Sequence, residues 1–220
     1  MTKDRAEEIL HMLKDNFSIP PWANSTKDPF QTLIITILSQ ATADKNTARA
    51  FENLSRRFSI TPEALAKASV EDIEKAIKVG GLYRNKSKTI KAISSIILKQ
   101  FNGSLDFIHS LPFDEARKIL LGIPGIGPKT ADVVLLFFAA KPTIPIDTHV
   151  NRGSKRLGLV PLKASYEEAR QTLEALYISG DYLSVHLLLI SLGRKFCKAR
   201  KPLCKPCPVN TLCPSKRVED

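Results

Sequence analysis

The sequence predicts an all-α protein, because apolar residues recur at helical spacing and no strand-like alternation interrupts them. Three segments show this spacing well: AEEILHMLKDNF near the N-terminus, FQTLIITILSQ from residue 30, and KTIKAISSIILKQF from residue 88. No convincing period-two run bounded by turns occurs along the chain. Clusters of glycine and proline separate the helical segments, so we expect about ten short helices.

The composition favours a globular protein that binds a polyanion. The 220 residues are 43% hydrophobic, which is enough to build a packed core. Lysine and arginine outnumber aspartate and glutamate by 33 to 22, and residues 194–217 carry eight basic side chains and no acidic one. This excess favours binding to nucleic acid, although solvated lysine faces are common and charge alone is weak evidence.

The hydropathy pattern indicates that the chain has no membrane partner. The longest apolar runs are VVLLFFAA (133–140) and HLLLISL (186–192), far shorter than the ~20 residues that cross a bilayer. The first residues, MTKDRAEEILHMLKDNF, lack the apolar stretch of a signal peptide. We therefore expect a cytoplasmic protein, associated with the nucleoid if the source is a prokaryote.

Residues 120–134, LLGIPGIGPKTADVV, predict two helices joined by a tight turn. Gly122 suits the end of the first helix and Pro128 the first position of the second. Gly125 and Gly127 permit a positive φ or the close approach of a ligand. Turn amides at a helix N-terminus bind one phosphate without reading base sequence. A plain interhelical turn is the alternative, and three glycines within six residues favour the phosphate site.

Lys129 follows this turn directly, in the first turn of the second predicted helix. A cation is disfavoured at the positive end of a helix, so we expect folding to lower the pKa of Lys129. An unprotonated lysine is a nucleophile and forms Schiff bases with carbonyl carbons. The alternative role is an ion pair with a phosphate oxygen, and one lysine does not decide between the two.

A second candidate site lies in PTIPIDTHVNR (142–152). Asp147 stands at the head of a predicted helix, where an aspartate is usually an N-cap. Its functional role would need a carboxylate that faces Lys129, either to take a proton or to stabilise a sugar cation at C1′. His149 and Arg152 could line the same pocket, although a hydrogen-bonded structural histidine is commoner than a catalytic one.

All four cysteines lie in one segment, with the spacing C-x6-C-x2-C-x5-C. The chain shows no export signal, so we predict a metal site rather than disulfides at Cys197, Cys204, Cys207 and Cys213. Four thiolates suit either tetrahedral zinc or an iron–sulfur cluster, and generic spacing rules do not separate these two. Between the first two cysteines, the cations Lys198, Arg200 and Lys201 predict a second phosphate-binding surface.

These features together resemble the endonuclease III branch of the helix-hairpin-helix (HhH-GPD) DNA glycosylases. The resemblance is carried by the hairpin LGIPGIGPKTADVV, by PTIPIDTHVNR and by the cysteine spacing, which is similar to that family's [4Fe–4S] ligand pattern. ILSQATADKNT (37–47) and GLYRNKSK (81–88) also look like family segments, so the likeness covers nearly the whole chain.

The resemblance implies a two-lobed helical fold with a DNA-binding cleft between the lobes. Residues 25–137 would form a six-helix barrel that carries the helix-hairpin-helix at about 113–138, and residues 1–24 with 138–220 would form the [4Fe–4S] cluster domain. Lys129 would attack C1′ of the damaged nucleotide, with Asp147 as its carboxylate partner. Gln40 and Leu82 would fill the gap that a flipped base leaves. From the residues alone, Leu82 would be a core residue and Gln40 a polar helix end.

The implied activity is that of a bifunctional DNA glycosylase and abasic-site lyase of base excision repair, acting as a monomer on double-stranded DNA. Oxidised pyrimidines such as thymine glycol would be its substrates. One alternative is a monofunctional glycosylase for thymine or uracil opposite guanine, or an 8-oxoguanine glycosylase. Monofunctional relatives usually lack this lysine, so Lys129 weighs against that form. The other alternative is a non-catalytic DNA-binding protein with a zinc site.

Overall fold

The computed structural model describes residues 2–20 and 28–216, and within these ranges every regular element is helical. The prediction of an all-α protein is confirmed. The described residues form twelve α-helices, which are α1 Lys3–Asn16, α2 Pro29–Ser39, α3 Asp44–Arg57, α4 Pro62–Lys67, α5 Val70–Ile77, α6 Tyr83–Gln100, α7 Phe107–Ser110, α8 Phe113–Leu121, α9 Pro128–Ala139, α10 Thr148–Arg156, α11 Tyr166–Leu176 and α12 Tyr182–Lys195. Three 3₁₀ turns accompany them, at Lys78–Gly80, Ser179–Asp181 and Asn210–Leu212.

The chain divides into two compact units. We call residues 26–139 the middle unit, and residues 1–25 with 140–220 the terminal unit. The sequence placed these divisions at 24/25 and 137/138, one or two residues earlier. Lys129 belongs to the middle unit, whereas Asp147 and the four cysteines belong to the terminal unit.

The core of the middle unit is built on α2 and α9, which are apolar around most of their circumference. Each of them buries six residues, and α9 packs against both α2 and α8. Long aliphatic side chains from α6 complete this core, among them Ile90, Ile93 and Ile97. The unit contains eight helices, α2 to α9, whereas the family resemblance implied six. Three of the eight helices are short: α4 has six residues, α5 has eight and α7 has four.

The core of the terminal unit surrounds α12, against which α1 and α10 pack. Its buried side chains include Ile9 and Leu13 on α1 and Leu188 on α12. Arg5 on α1 donates to the backbone carbonyls of Leu157 and Leu212. This arginine therefore ties the N-terminal helix to the end of α10 and to the cysteine segment.

Within the described ranges, no helix on its own has the length and hydropathy of a membrane span, and only α11 taken together with Ser179–Lys195, across a 115° bend, meets both criteria.

Candidate active site and cysteine cavity

The hairpin turn between α8 and α9 is closed by its own backbone. The amide of Gly122 donates to the carbonyls of Lys118 and Ile119, both at 3.1 Å, and ends α8. The Ile126 amide then donates to Ile123 O at 3.0 Å. The second helix begins at Pro128, as predicted. Gly122 has a right-handed conformation, so its conformational freedom is not what the turn needs.

Gly125 and Gly127 serve the turn in different ways. Gly125 has φ +96°, and a Cβ placed on it would lie 2.9 Å from Thr89 Cγ2. Only glycine fits there without strain. Gly127 has no positive φ, and a Cβ on it would meet no atom within 4 Å. Space and backbone conformation therefore allow a side chain at 127, and its absence leaves the amides at the start of α9 open to a ligand.

A buried ion pair joins the two helices of the hairpin. Arg117 on α8 donates to Asp132 on α9, with Nε 2.6 Å from Oδ1 and Nη2 3.3 Å from Oδ2. The Asp132 side chain is fully buried and that of Arg117 is 12% exposed. This pair was not among the predictions made from the sequence. The available signal was an aspartate inside the apolar run of α9, since a charge in such a run needs a partner.

Lys129 is the second residue of α9 and is half-buried. The first hydrogen bond of the helix runs from the Ala131 amide to Gly127 O at 3.0 Å. The backbone amides of the first turn precede this bond and carry the positive end of the helix dipole. Lys129 thus stands beside a group of amides that is suited to hold a phosphate.

Asp147 is the N-cap of α10, which confirms the structural interpretation of this residue. Its Oδ1 accepts from the amides of His149 at 2.8 Å and Val150 at 2.7 Å. The cap uses one of the two carboxylate oxygens, so capping and a chemical role are compatible. The preceding extended segment is fixed within the terminal unit, because His186 Nδ1 lies 2.8 Å from the Pro145 carbonyl and the Ile144 amide donates to Glu174 Oε1 at 3.1 Å.

His149 and Arg152 have structural partners in the terminal unit. Arg152 donates to Cys197 O at 2.7 Å, to Gly193 O at 3.1 Å and to His149 Nδ1 at 3.0 Å. A guanidinium only donates, so this contact requires His149 Nδ1 to accept. Arg152 thereby connects α10 to the end of α12, where the cysteine segment begins, and His149 contacts Arg152 from the same helix.

Gln40 and Leu82 both lie on the surface of the middle unit. Gln40 is the C-cap of α2, which agrees with its interpretation as a polar helix end. The interpretation of Leu82 as a core residue is wrong, because the side chain is 59% exposed. Leu82 precedes α6 with φ +48°, so the helix begins from a left-handed backbone. A large apolar side chain held exposed in a strained conformation is typical of a functional position.

The four cysteines line one cavity in the terminal unit. Apolar side chains such as Leu192, Phe196 and Val209 complete its wall. Arg156 lies at this cavity, with Nη1 3.5 Å from Cys197 Sγ and its carbonyl 3.5 Å from Cys213 Sγ. Burial, and then the neighbouring cysteines, raise the pKa of the Cys207 and Cys213 thiols.

The four thiols line the same cavity. Among the described residues, no three His, Cys, Asp or Glu side chains converge closely enough to hold a single metal ion. A structural zinc ion would need four sulfur atoms at about 2.3 Å from one centre. The donor set is thus four thiols at one cavity, and zinc and iron–sulfur clusters both take four thiolate ligands.

The basic residues between the first two cysteines lie on an exposed loop. Lys198, Arg200 and Lys201 are all exposed, and Lys201 has φ +49°. Arg156 holds this loop by donating to the carbonyls of Lys198 at 2.8 Å and Ala199 at 3.2 Å. The same arginine therefore contacts both the cysteine cavity and the basic loop, a link that the sequence analysis did not predict.

Comparisons with known proteins agree with these features. Residues 34–177 match the family model described as HhH-GPD superfamily base excision DNA repair protein. Endonuclease III of Sulfolobus acidocaldarius is 38% identical over 189 residues, which cover 86% of this chain and 82% of that protein. Endonuclease III of Thermotoga maritima is 35% identical over 213 residues, covering 97% and 92%. A solved structure of a trapped covalent intermediate of endonuclease III with DNA aligns with TM-score 0.86 and 31% identity, covering 98% and 97%.

Proposed function

This chain belongs to the endonuclease III family of HhH-GPD base excision DNA repair proteins, and from that premise we propose that it removes oxidised pyrimidines, such as thymine glycol, from double-stranded DNA. It is a DNA glycosylase and abasic-site lyase of base excision repair. The non-catalytic alternative is therefore dropped. The observation that carries the proposal is Lys129 at the start of α9, directly after the hairpin turn.

Lys129 is the proposed nucleophile. Its neutral amine attacks C1′, the bond between C1′ and the base breaks, and the base leaves with the bonding electrons and takes up a proton. The C1′–O4′ bond then breaks as Nζ loses one proton and O4′ takes one up, which leaves a protonated Schiff base between Nζ and C1′. This cation acidifies the 2′ hydrogens, so loss of a 2′ proton expels the 3′ phosphate by β-elimination. The trapped covalent complex of the endonuclease III neighbour with DNA supports an intermediate of this kind.

Asp147 is the proposed carboxylate of the reaction. Positive charge develops at C1′ as the base leaves, and a fixed carboxylate stabilises that charge or accepts a proton from the attacking amine. The N-cap hydrogen bonds hold the carboxylate by Oδ1 and leave Oδ2 outside the cap. A rigid cap supports this role, because it holds the second oxygen at a fixed position without a flexible side chain.

Two surfaces are proposed to bind the DNA backbone. The amides near Gly125 and Gly127, at the start of α9, are suited to one phosphate. The exposed loop with Lys198, Arg200 and Lys201 is suited to others, since lysine and arginine bind phosphates without reading sequence. Gln40 and Leu82, both exposed, are proposed to occupy the space that a flipped nucleotide leaves in the duplex.

The cysteine cavity is proposed to hold a [4Fe–4S] cluster. Cys197, Cys204, Cys207 and Cys213 line this one cavity, and their spacing C-x6-C-x2-C-x5-C is similar to the cluster-ligand pattern of the endonuclease III family. When bound, the cluster would cross-link the cysteine segment and supply no step of base removal. Arg156 places its positive charge beside the thiolates and braces the basic loop.

We propose further that the protein acts as a monomer in the cytoplasm, at the nucleoid of a prokaryote.

Borohydride trapping tests this function. The purified protein is incubated with a duplex that contains one thymine glycol, and separately with a duplex that contains one abasic site. We expect a covalent adduct with both duplexes, lost in Lys129→Gln, while binding to damaged DNA persists. Lys118→Gln is the matched control, because Lys118 is an exposed lysine on the other helix of the hairpin.

The outcomes separate the parts of the proposal. An adduct with the abasic duplex alone would retain the lyase and reject thymine glycol as substrate. An adduct that persists in Lys129→Gln would reject the nucleophile. Absence of any adduct in the wild-type protein, with base release intact, would indicate a monofunctional glycosylase.

A further inference from the structure

Two surface turns of the middle unit are held together by one buried lysine. The first turn follows α2 and contains Gln40, and the second turn precedes α6 and contains Leu82. Each turn has a non-glycine residue in the left-handed region, with φ +51° at Ala41 and φ +48° at Leu82. Such conformations cost free energy and persist only where neighbouring structure holds them.

Lys86, in the first turn of α6, is the residue that holds them. It is only 3% exposed. Its Nζ donates to Leu38 O at 2.7 Å, to Thr42 Oγ1 at 2.7 Å and to Gly80 O at 2.9 Å. Leu38 and Thr42 flank Gln40 in the chain, whereas Gly80 lies two residues before Leu82. One ammonium group therefore donates all three of its hydrogen bonds to the two turns.

Thr42 completes the connection between the turns. Its hydroxyl accepts from Lys86 and donates to the Gly80 carbonyl, so it forms a second bridge from the Gln40 turn to the Leu82 turn. The backbone amide of Lys86 also donates to Leu82 O at 3.0 Å. The spacing of the two turns thus depends on a small polar network of Lys86, Thr42 and three backbone carbonyls.

None of the acceptors of this ammonium is a carboxylate. Burial lowers the pKa of Lys86, so the charged side chain is retained at a free-energy cost. A leucine or methionine would pack in such a place without that cost, but it could not bind the carbonyls of two separate turns. The geometry, a single buried donor shared by two strained surface turns, indicates a role in positioning.

We propose that Lys86, with Thr42, is a positioning residue that sets the distance between Gln40 and Leu82, so that both side chains enter the duplex together. This inference rests on the proposed function, since it assumes that the two exposed residues fill the space left by a flipped nucleotide. Neither Lys86 nor Thr42 contacts the DNA in this proposal. They act through the main chain of the two turns.

The test compares reactions on duplex DNA, in which Gln40 and Leu82 must enter the duplex, with a reaction on single-stranded DNA, in which they need not. Lys86→Met and Thr42→Val each remove part of the network, and Thr42→Ser restores the hydroxyl. Lys91→Met is the control, because Lys91 also lies on α6 and binds the main-chain carbonyls of Ala66 and Ala68, away from both turns. Insertion is measured by 2-aminopurine fluorescence opposite an uncleavable tetrahydrofuran site, and chemistry by borohydride trapping.

We expect Lys86→Met and Thr42→Val to reduce the fluorescence rise and to slow trapping on the thymine glycol duplex by roughly 10- to 100-fold. Trapping on a single-stranded oligonucleotide with an abasic site should stay within about twofold, because no duplex is opened there. Thr42→Ser should recover most of the duplex rate, and Lys91→Met should keep the ratio of duplex to single-strand rates. If Lys86→Met does not fold, the comparison of Thr42→Val with Thr42→Ser tests the positioning role instead.

The proposal is overturned if the network variants keep the wild-type ratio of duplex to single-strand rates, or if Lys91→Met changes that ratio equally. A wild-type protein that traps neither substrate would reject the proposed lyase. The fluorescence measurement would still test Lys86, since it needs DNA binding and no chemistry. A wild-type protein that leaves the 2-aminopurine stacked would overturn the positioning role as well.

Discussion

Arg117 and Asp132 form a two-point ion pair that clamps the helices of the hairpin, with Nε 2.6 Å from Oδ1. The pair connects α8 to α9, and α9 carries Lys129 in its first turn. The direction of α9 from the turn therefore depends in part on this buried contact. The proposed nucleophile and the proposed phosphate site share this support.

Replacing Arg117 by Met should destabilise the protein by about 3 kcal/mol, because a buried carboxylate loses a charged partner. The double variant Arg117→Met with Asp132→Leu should recover part of that loss, since both charges of the pair are removed. Urea unfolding measures both changes. Arg56→Met is the control, because the Arg56–Glu52 pair is exposed and should change stability by less than about 1 kcal/mol. Equal effects of Arg117→Met and Arg56→Met would contradict the proposed clamp.

The two turn glycines should respond differently to alanine. Gly125→Ala forces a positive φ on alanine and brings Cβ to 2.9 Å from Thr89 Cγ2, so we expect a loss of about 1–2 kcal/mol in unfolding free energy. Gly127→Ala meets open space and should leave stability within about 0.5 kcal/mol. Its effect should instead appear as weaker binding to duplex DNA in a titration at fixed salt. Unchanged affinity in a folded Gly127→Ala would show that no phosphate approaches this amide.

The sequence predicted features that depend on neighbours in the chain. Pro128 at the start of α9 and Asp147 as an N-cap follow from local backbone chemistry, and both are confirmed. The succession of helices along the chain was likewise predicted from the helical spacing of apolar residues. The positions of Gln40 and Leu82 were selected by family resemblance, because their residue types alone favoured ordinary roles.

The missed features depend on residues far apart in the chain. Lys86 binds acceptors that lie 48, 44 and 6 residues away, and no spacing rule connects them. Leu82 is exposed and has a positive φ, neither of which a leucine predicts. Arg156 reaches the cysteine segment from 41 residues away. Tertiary packing, rather than local propensity, decides each of these cases.

Two substitutions of Asp147 separate its role as the N-cap of α10 from its proposed role in base removal. Asp147→Asn retains an oxygen that accepts from the amides of His149 and Val150, so stability should change by only a few tenths of a kcal/mol. Base removal should fall by roughly 10²- to 10⁴-fold, because the carboxylate charge is lost. Asp147→Ala should lose the activity and also about 1 kcal/mol of stability. Single-turnover base release and thermal unfolding measure the two effects.

Ser165→Ala is the control for the cap. Ser165 caps α11 in the same unit, with its Oγ accepting from the Glu168 amide at 3.3 Å. Its loss should cost about 1 kcal/mol while base release stays near the wild-type rate. A Ser165→Ala variant as inactive as Asp147→Ala would mean that helix capping, and not the carboxylate, accounts for the lost activity.

The cysteine cavity should contain about four iron and four sulfide per chain in the protein as purified. Cys204→Ala removes one of the four thiols that enclose the space, so we expect loss of iron and visible colour, together with weaker binding to duplex DNA. Arg200→Gln should weaken binding while leaving the iron content unchanged, because its side chain lies exposed on the loop. One zinc per chain in a colourless protein would reject the cluster.

Cys204→Ala also tests whether the cluster takes part in the reaction. Lys129 and Asp147 are proposed to carry every bond change, so a folded Cys204→Ala should still trap a single-stranded abasic site at a rate close to that of wild type. Its defect should be confined to affinity and should shrink at low salt, where the remaining basic residues bind phosphates more strongly. A loss of single-strand trapping in a folded, colourless variant would instead assign the cluster a role in chemistry.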